Sequence, residues 1–159
     1  MLATIIWAGN GTRPAGIFQF RRMATMRDTL RPGLSGEKRF VVEPKNAISF
    51  MGPDVPRVLA SPWMLLFMEH AAREGVLPHL DPGEDTVGIG FQFEHIAAAP
   101  IGSTVIATAE LTSVDGRKLH FRIEARDEQE VIGRGTHTRA VVEIARFAQR
   151  MRKKMPGKK

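Results

Sequence analysis

Ser61-Pro62-Trp63-Met64-Leu65-Leu66-Phe67-Met68-Glu69-His70-Ala71-Ala72 contains the longest purely apolar run of the chain, the seven residues 62–68. Serine followed by proline starts a helix well, with Ser61 as N-cap and Pro62 at the first helical position. The helix is expected to run to about Gly75, with Pro78 beyond it. Apolar residues cover nearly every face of its first two turns, so it reads as a helix wrapped by a sheet. Glu69 closes the run. A carboxylate on a buried helix is costly unless something pairs with it or uses it, so Glu69 marks a candidate site.

Downstream the period changes from helical to two. Strands are expected over 86–96, 103–114, 117–127 and 130–144, and a short one over 37–42, ended by Pro44. In the third of these, Leu119, Phe121, Ile123 and Ala125 share one face; in the second, Val105, Ala107, Ala109 and Leu111 do. Asp115-Gly116 is a tight-hairpin signal, and the turn near Asp127-Glu128-Gln129-Glu130 is short as well. Connections this short force antiparallel neighbours. The order is strand, helix, then four strands in a meander, an α+β domain whose sheet curls around one central helix. Its other face carries Arg, Glu and His and is expected to meet solvent.

The 159 residues fit one domain with a single core. Cysteine is absent, which excludes disulfides and thiolate ligands. The net charge of +6 is misleading in its placement. Residues 1–27 hold four Arg and no acid, and residues 146–159 hold seven Lys/Arg and no acid. Residues 28–145 hold 12 basic and 17 acidic residues, so the expected core is mildly acidic. That disfavours a nucleic-acid partner. No run reaches the length of a transmembrane helix, so no membrane partner is expected either. The division is an N-terminal extension over 1–27, expected to be disordered, a domain over 28–145, and a basic tail over 146–159 that is a short helix or disordered. The extension lacks the plan of a secretory signal, and the expected location is cytoplasmic.

Several chemistries find no motif. Gly88-Ile89-Gly90 lacks the third glycine of a dinucleotide loop. There is no Gly-x-Ser-x-Gly elbow, and the five scattered histidines suggest no metal. Ser61, Glu69 and His95 remain, each with an ordinary reading. Ser61 is a helix cap or a functional hydroxyl. Glu69 lies eight residues on, within about 80° of Ser61 around the axis, and could simply pair with Arg73. His95 shares a face with Phe91 and Phe93 and could be a satisfied core histidine. Arg139 is by default an exposed strand residue. Together, a hydroxyl, a carboxylate and an imidazole suit acyl transfer. The amide at the helix N-terminus could polarise a carbonyl.

From about Asp28 to Arg150 the chain resembles the hotdog-fold thioesterases, and most closely the fluoroacetyl-CoA thioesterase group. The pieces are Val58-Leu59-Ala60-Ser61 leading into Met68-Glu69, then Gly88, then His95 with Ala97-Ala98-Ala99-Pro100-Ile101-Gly102. Further on are Thr108-Ala109-Glu110-Leu111, Ser113-Val114-Asp115-Gly116-Arg117 and Ile132-Gly133-Arg134-Gly135-Thr136-His137-Thr138-Arg139-Ala140-Val141. The resemblance implies a hotdog fold, a curled antiparallel five-stranded sheet around one central helix. It implies an acyl-CoA thioesterase acting on a short or small acyl-CoA, with no cofactor and no metal. Ser61 takes the position of the family's catalytic hydroxyl, a threonine in the fluoroacetyl enzyme. Glu69 takes that of its carboxylate, as nucleophile or base, and His95 that of its histidine. Gly88 and Arg139 fall on positions associated with substrate or with water near the site. A homodimer with sheets joined edge to edge and shared sites is also implied. Aromatic gate residues precede the helix in the fluoroacetyl enzyme, whereas Gly52 and Val55 stand here, so a broader or different acyl group is expected. The alternatives are a non-catalytic acyl-CoA-binding module, and a hydratase on the same fold, whose usual Asp followed by His is not found.

Overall fold

The computed structural model describes residues 29–157. The expected extension over residues 1–27 lies outside them. Strand β1 (Ser35–Val41) is followed by helix α1 (Ser61–Val76) and then by β2 (Glu84–His95), β3 (Thr104–Asp115), β4 (Lys118–Arg126) and β5 (Val131–Glu143). Helix α2 (Ile144–Lys154) follows β5. The five strands form one antiparallel sheet in the order β1-β3-β4-β5-β2.

The period-two readings predict the buried face. Val105, Ala107, Ala109 and Leu111 of β3 and Leu119, Phe121, Ile123 and Ala125 of β4 are all buried. They pack with Met64, Met68, Ala71, Ala72 and Val76, the buried stripe of α1. The hairpin at Asp115-Gly116 forms, with Asp115 opposite Lys118 and Gly116 at a φ of 56°. That is a conformation glycine adopts without steric cost. Helix α1 presses close to β1 through two glycines. A Cβ on Gly75 would lie 2.6 Å from the backbone nitrogen of Gly36.

Three expectations need correction. The four strands after α1 are not a simple meander. Only β3, β4 and β5 are, while β2 sits beyond β5 at the far edge. The segment between β2 and β3 makes no hairpin, because its backbone groups bond elsewhere. Leu59 donates to Ala99, Ile101 to Arg57 and Gly102 to Val42. Helix α1 is also not wrapped on all sides, for Pro62, Leu66 and His70 are exposed. Nor is the sheet's polar content all on the solvent side, since His137 and Arg139 are buried on β5 in phase with Val141.

Candidate active site

The fold builds two clusters of candidate functional side chains. The first joins Ser61 to His95, whose Oγ and Nδ1 lie 2.7 Å apart. Ser61 is the first residue of α1, and the N-cap is Ala60, which makes no side-chain capping bond. The expectation of Ser61 as N-cap is therefore incorrect. The hydroxyl turns toward the end of β2, where His95 is the last strand residue. There β2 ends against Ile132, whose carbonyl accepts from the amides of both Ile96 and Ala97. Burial pushes His95 below its ordinary 6.5, against the pull of a backbone hydrogen bond with Ala97. A cavity of about 370 Å³ opens over the pair and is otherwise apolar, with Ile48, Phe50, Val58, Leu59 and Ala97 in its wall. Phe50 is 82% exposed at its rim. The positive end of the α1 dipole falls at Ser61.

The second cluster centres on Arg139, which is 2% exposed. Its Nη1 donates to Glu69 Oε1 at 3.0 Å, its Nε to Thr86 Oγ1 at 2.8 Å and its Nη2 to the Thr86 carbonyl at 2.8 Å. Nη1 also lies 3.1 Å from His137 Nε2. A guanidinium can only donate, so Nε2 accepts and the His137 proton sits on Nδ1, which donates to the Gly90 carbonyl at 2.8 Å. The His137 ring stacks on Phe91, centroids 3.7 Å apart. Burial, and secondarily the Arg139 charge, push His137 below its ordinary value, consistent with a neutral ring. Burial also lowers Arg139, opposed chiefly by Glu69. Glu69 keeps 34% of its side chain exposed, so its carboxylate is held at one oxygen and open to a ligand. Gly88 makes room for it: a Cβ there would lie 2.5 Å from Glu69 Oε1.

Arg139 is thus not an exposed strand residue, and Glu69 does not pair with Arg73. Arg73 binds Asp85 through two hydrogen bonds of 2.8 and 2.5 Å. Ser61 meets His95, and Glu69 meets Gly88 and Arg139. The two clusters do not meet within one chain. Glu69 lies eight residues along α1 from Ser61, roughly 12 Å of rise. Gly88 lies seven residues along β2 from His95, roughly 20 Å. Thr86 and His137 were not singled out in the sequence. The readable signal for His137 was its place two residues before Arg139 and four before the apolar Val141, on one face of β5.

The family model described as fluoroacetyl-CoA-specific thioesterase matches residues 42–145. The fluoroacetyl-CoA thioesterase of Streptantibioticus cattleyicolor is 39% identical over 138 residues, which are 83% of this chain and 99% of that protein. A solved threonine-to-serine mutant of the fluoroacetyl-CoA enzyme, in complex with acetyl-CoA, is 39% identical with a TM-score of 0.73, covering 80% of this chain and 100% of the other. A hot-dog-like protein from Thermanaerovibrio acidaminovorans is 20% identical with a TM-score of 0.71, over 80% of this chain and 94% of the other. That likeness shows the hotdog fold.

Proposed function

Because the chain belongs to the fluoroacetyl-CoA-specific thioesterase family, and is an acyl-CoA thioesterase, we propose that Ser61, Glu69 and His95 carry the hydrolysis and are assembled across a homodimer. The observation that carries this reading is the split of the site along an open strand. The Ser61–His95 pair and the Glu69–Gly88–Arg139 cluster sit at opposite ends of β2, which pairs with β5 on one side only. With the bulge at Ile89 counted, an antiparallel β2–β2 contact with its two-fold axis at Gln92 sets Gly88 opposite the partner's His95. Each Glu69 then faces the other subunit's hydroxyl and imidazole. Unpaired edges invite such pairing, and a closed two-fold contact produces two identical sites. Ile89 and Phe91 on the edge and Leu66 on α1 are exposed apolar residues that a second copy would cover.

In this site the acyl carbonyl lies near the N-terminus of α1, where backbone amides stabilise developing negative charge. Neutral His95 accepts the Ser61 O–H at Nδ1 and keeps its own proton on Nε2. The Ser61 oxygen then positions water. Glu69 either takes a proton from that water, whose oxygen then bonds to the carbonyl carbon, or bonds to the carbon itself and is freed when the water hydrolyses the resulting anhydride. The C–S bond breaks, and the Nε2–H of neutral His95 donates a hydrogen bond to the departing CoA thiolate, which takes its proton from Glu69 or water. Arg139 fixes the Glu69 carboxylate and His137 fixes Arg139, leaving one carboxylate oxygen for chemistry.

The substrate is a small acyl-CoA, broader than fluoroacetyl. Gly52 and Val55 stand where the fluoroacetyl enzyme has aromatic gate residues, and Phe50 is the aromatic at the cavity rim. Support for a serine at the hydroxyl position comes from the relative's threonine-to-serine mutant, solved with acetyl-CoA. The test is thiol release from a panel of acyl-CoAs of increasing chain length. Short chains are expected to turn over, and Glu69→Gln and His95→Ala are each expected to lose about 10²–10⁴-fold in kcat while remaining folded. Wild-type turnover in either variant would refute the assignment.

A further inference from the structure

Helix α2 has no buried residue, and nearly all of it lies beyond the stretch that the family model matches. Ile144, Phe147, Ala148, Met151 and Met155 recur at spacings of three and four, an arc of about 100° on the helix surface. Ile144 is 50% exposed, Phe147 38% and the C-cap Met155 58%, while Ala148 and Met151 are half-buried, so the stripe is only partly covered within the chain. The remaining faces carry Arg146, Arg150, Arg152, Lys153 and Lys154, and the helix has no acid. Arg152 borders one edge of the stripe and Arg150 and Lys154 the other. A shallow cavity of about 430 Å³ runs along it, with Phe147 and Met151 between Arg150, Lys153 and Lys154.

We infer that α2 is an interfacial helix that seats the enzyme on an anionic bilayer surface. The pattern combines the two features such helices need, an apolar stripe that enters the acyl boundary and a cationic border that meets anionic headgroups. Charge alone would serve a nucleic acid, whose backbone gives an apolar stripe nothing to bury in. The mildly acidic character of residues 28–145 leaves the cationic character to the helix and orients the molecule with α2 toward the surface. This contact lies flat on the membrane and needs no spanning segment; among the described residues no helix is long and apolar enough to cross one. It goes beyond the expectation of no membrane partner, which rested on the lack of a spanning run.

The test is co-sedimentation of the full chain with vesicles of phosphatidylcholine alone and of phosphatidylcholine mixed with phosphatidylglycerol. Thiol release from a soluble short acyl-CoA is measured on the same samples. Sedimentation is expected only with the anionic vesicles and is expected to fall as salt is raised. Each base near such a surface contributes about a fivefold factor. The double variant Phe147→Glu/Met151→Glu is expected to bind at least about tenfold more weakly, with unchanged kcat. Lack of sedimentation with anionic vesicles, or equal binding by the double variant, would overturn the inference. So would a shift of the double variant to a smaller species in size-exclusion chromatography, which would assign the stripe to a second copy. Activity that persists through any of these outcomes leaves the thioesterase reading standing.

Discussion

At Ser61 a local rule and a tertiary contact compete for one hydroxyl. Ser-Pro favours a capping role, yet the cap falls on Ala60 and the hydroxyl goes to His95 at 2.7 Å. A true cap lost to alanine costs about 1 kcal/mol. Ser61→Ala should instead leave thermal stability nearly unchanged while lowering kcat, with both read on one preparation. A drop in Tm with intact turnover would return Ser61 to the capping role. The imidazole partner sets the pH behaviour. Burial lowers His95, so its neutral form, the one that accepts from Ser61, persists below the ordinary histidine range. As pH falls through that lowered pKa the ring becomes charged and the Ser61 bond changes character. The acid limb of kcat should therefore lie below pH 6.5, and in Ser61→Ala it should be blunted; a limb above that value would contradict the neutral-ring mechanism. Residue identities were readable because helix and strand periods isolate a carboxylate and an imidazole among apolar neighbours. Their partners were less readable. Arg73 is the nearest cation to Glu69 in sequence, but Asp85 takes it, and the buried Arg139 binds Glu69 from 70 residues away.

Among the elements, the strands of the central meander were legible because alternation and two short turns fix both their faces and their neighbours. Position within the sheet was not legible for β2. Alternation fails along it, since this edge strand exposes apolar residues such as Ile89 and Phe91. The link from β2 to β3 could be placed only by seeing its amides and carbonyls taken up by residues 42 and 57–59. The seating of α1 on β1 rests on Gly36 and Gly75, whose backbones touch. Helix propensity alone would make Gly75→Ala stabilising. The close approach reverses the sign, because the added Cβ meets backbone that cannot step aside. Gly75→Ala should cost about 1–3 kcal/mol in denaturant unfolding, and a gain in stability would refute that packing.

For the whole molecule, the central claim is that one chain carries two half-sites and that catalysis joins them across subunits. The resemblance implies family positions for all three residues, but distance along β2 separates Glu69 from His95 by more than one chain can close. Mixing of inactive variants tests this directly. Glu69→Gln and His95→Ala proteins, each inactive alone, are unfolded together, refolded as a mixture and assayed for thiol release. A site shared between subunits restores one intact site in each mixed dimer, and random pairing then returns roughly a quarter of wild-type activity per subunit. A mixture no more active than its components would contradict a shared site and require Glu69 and His95 to act within a single chain.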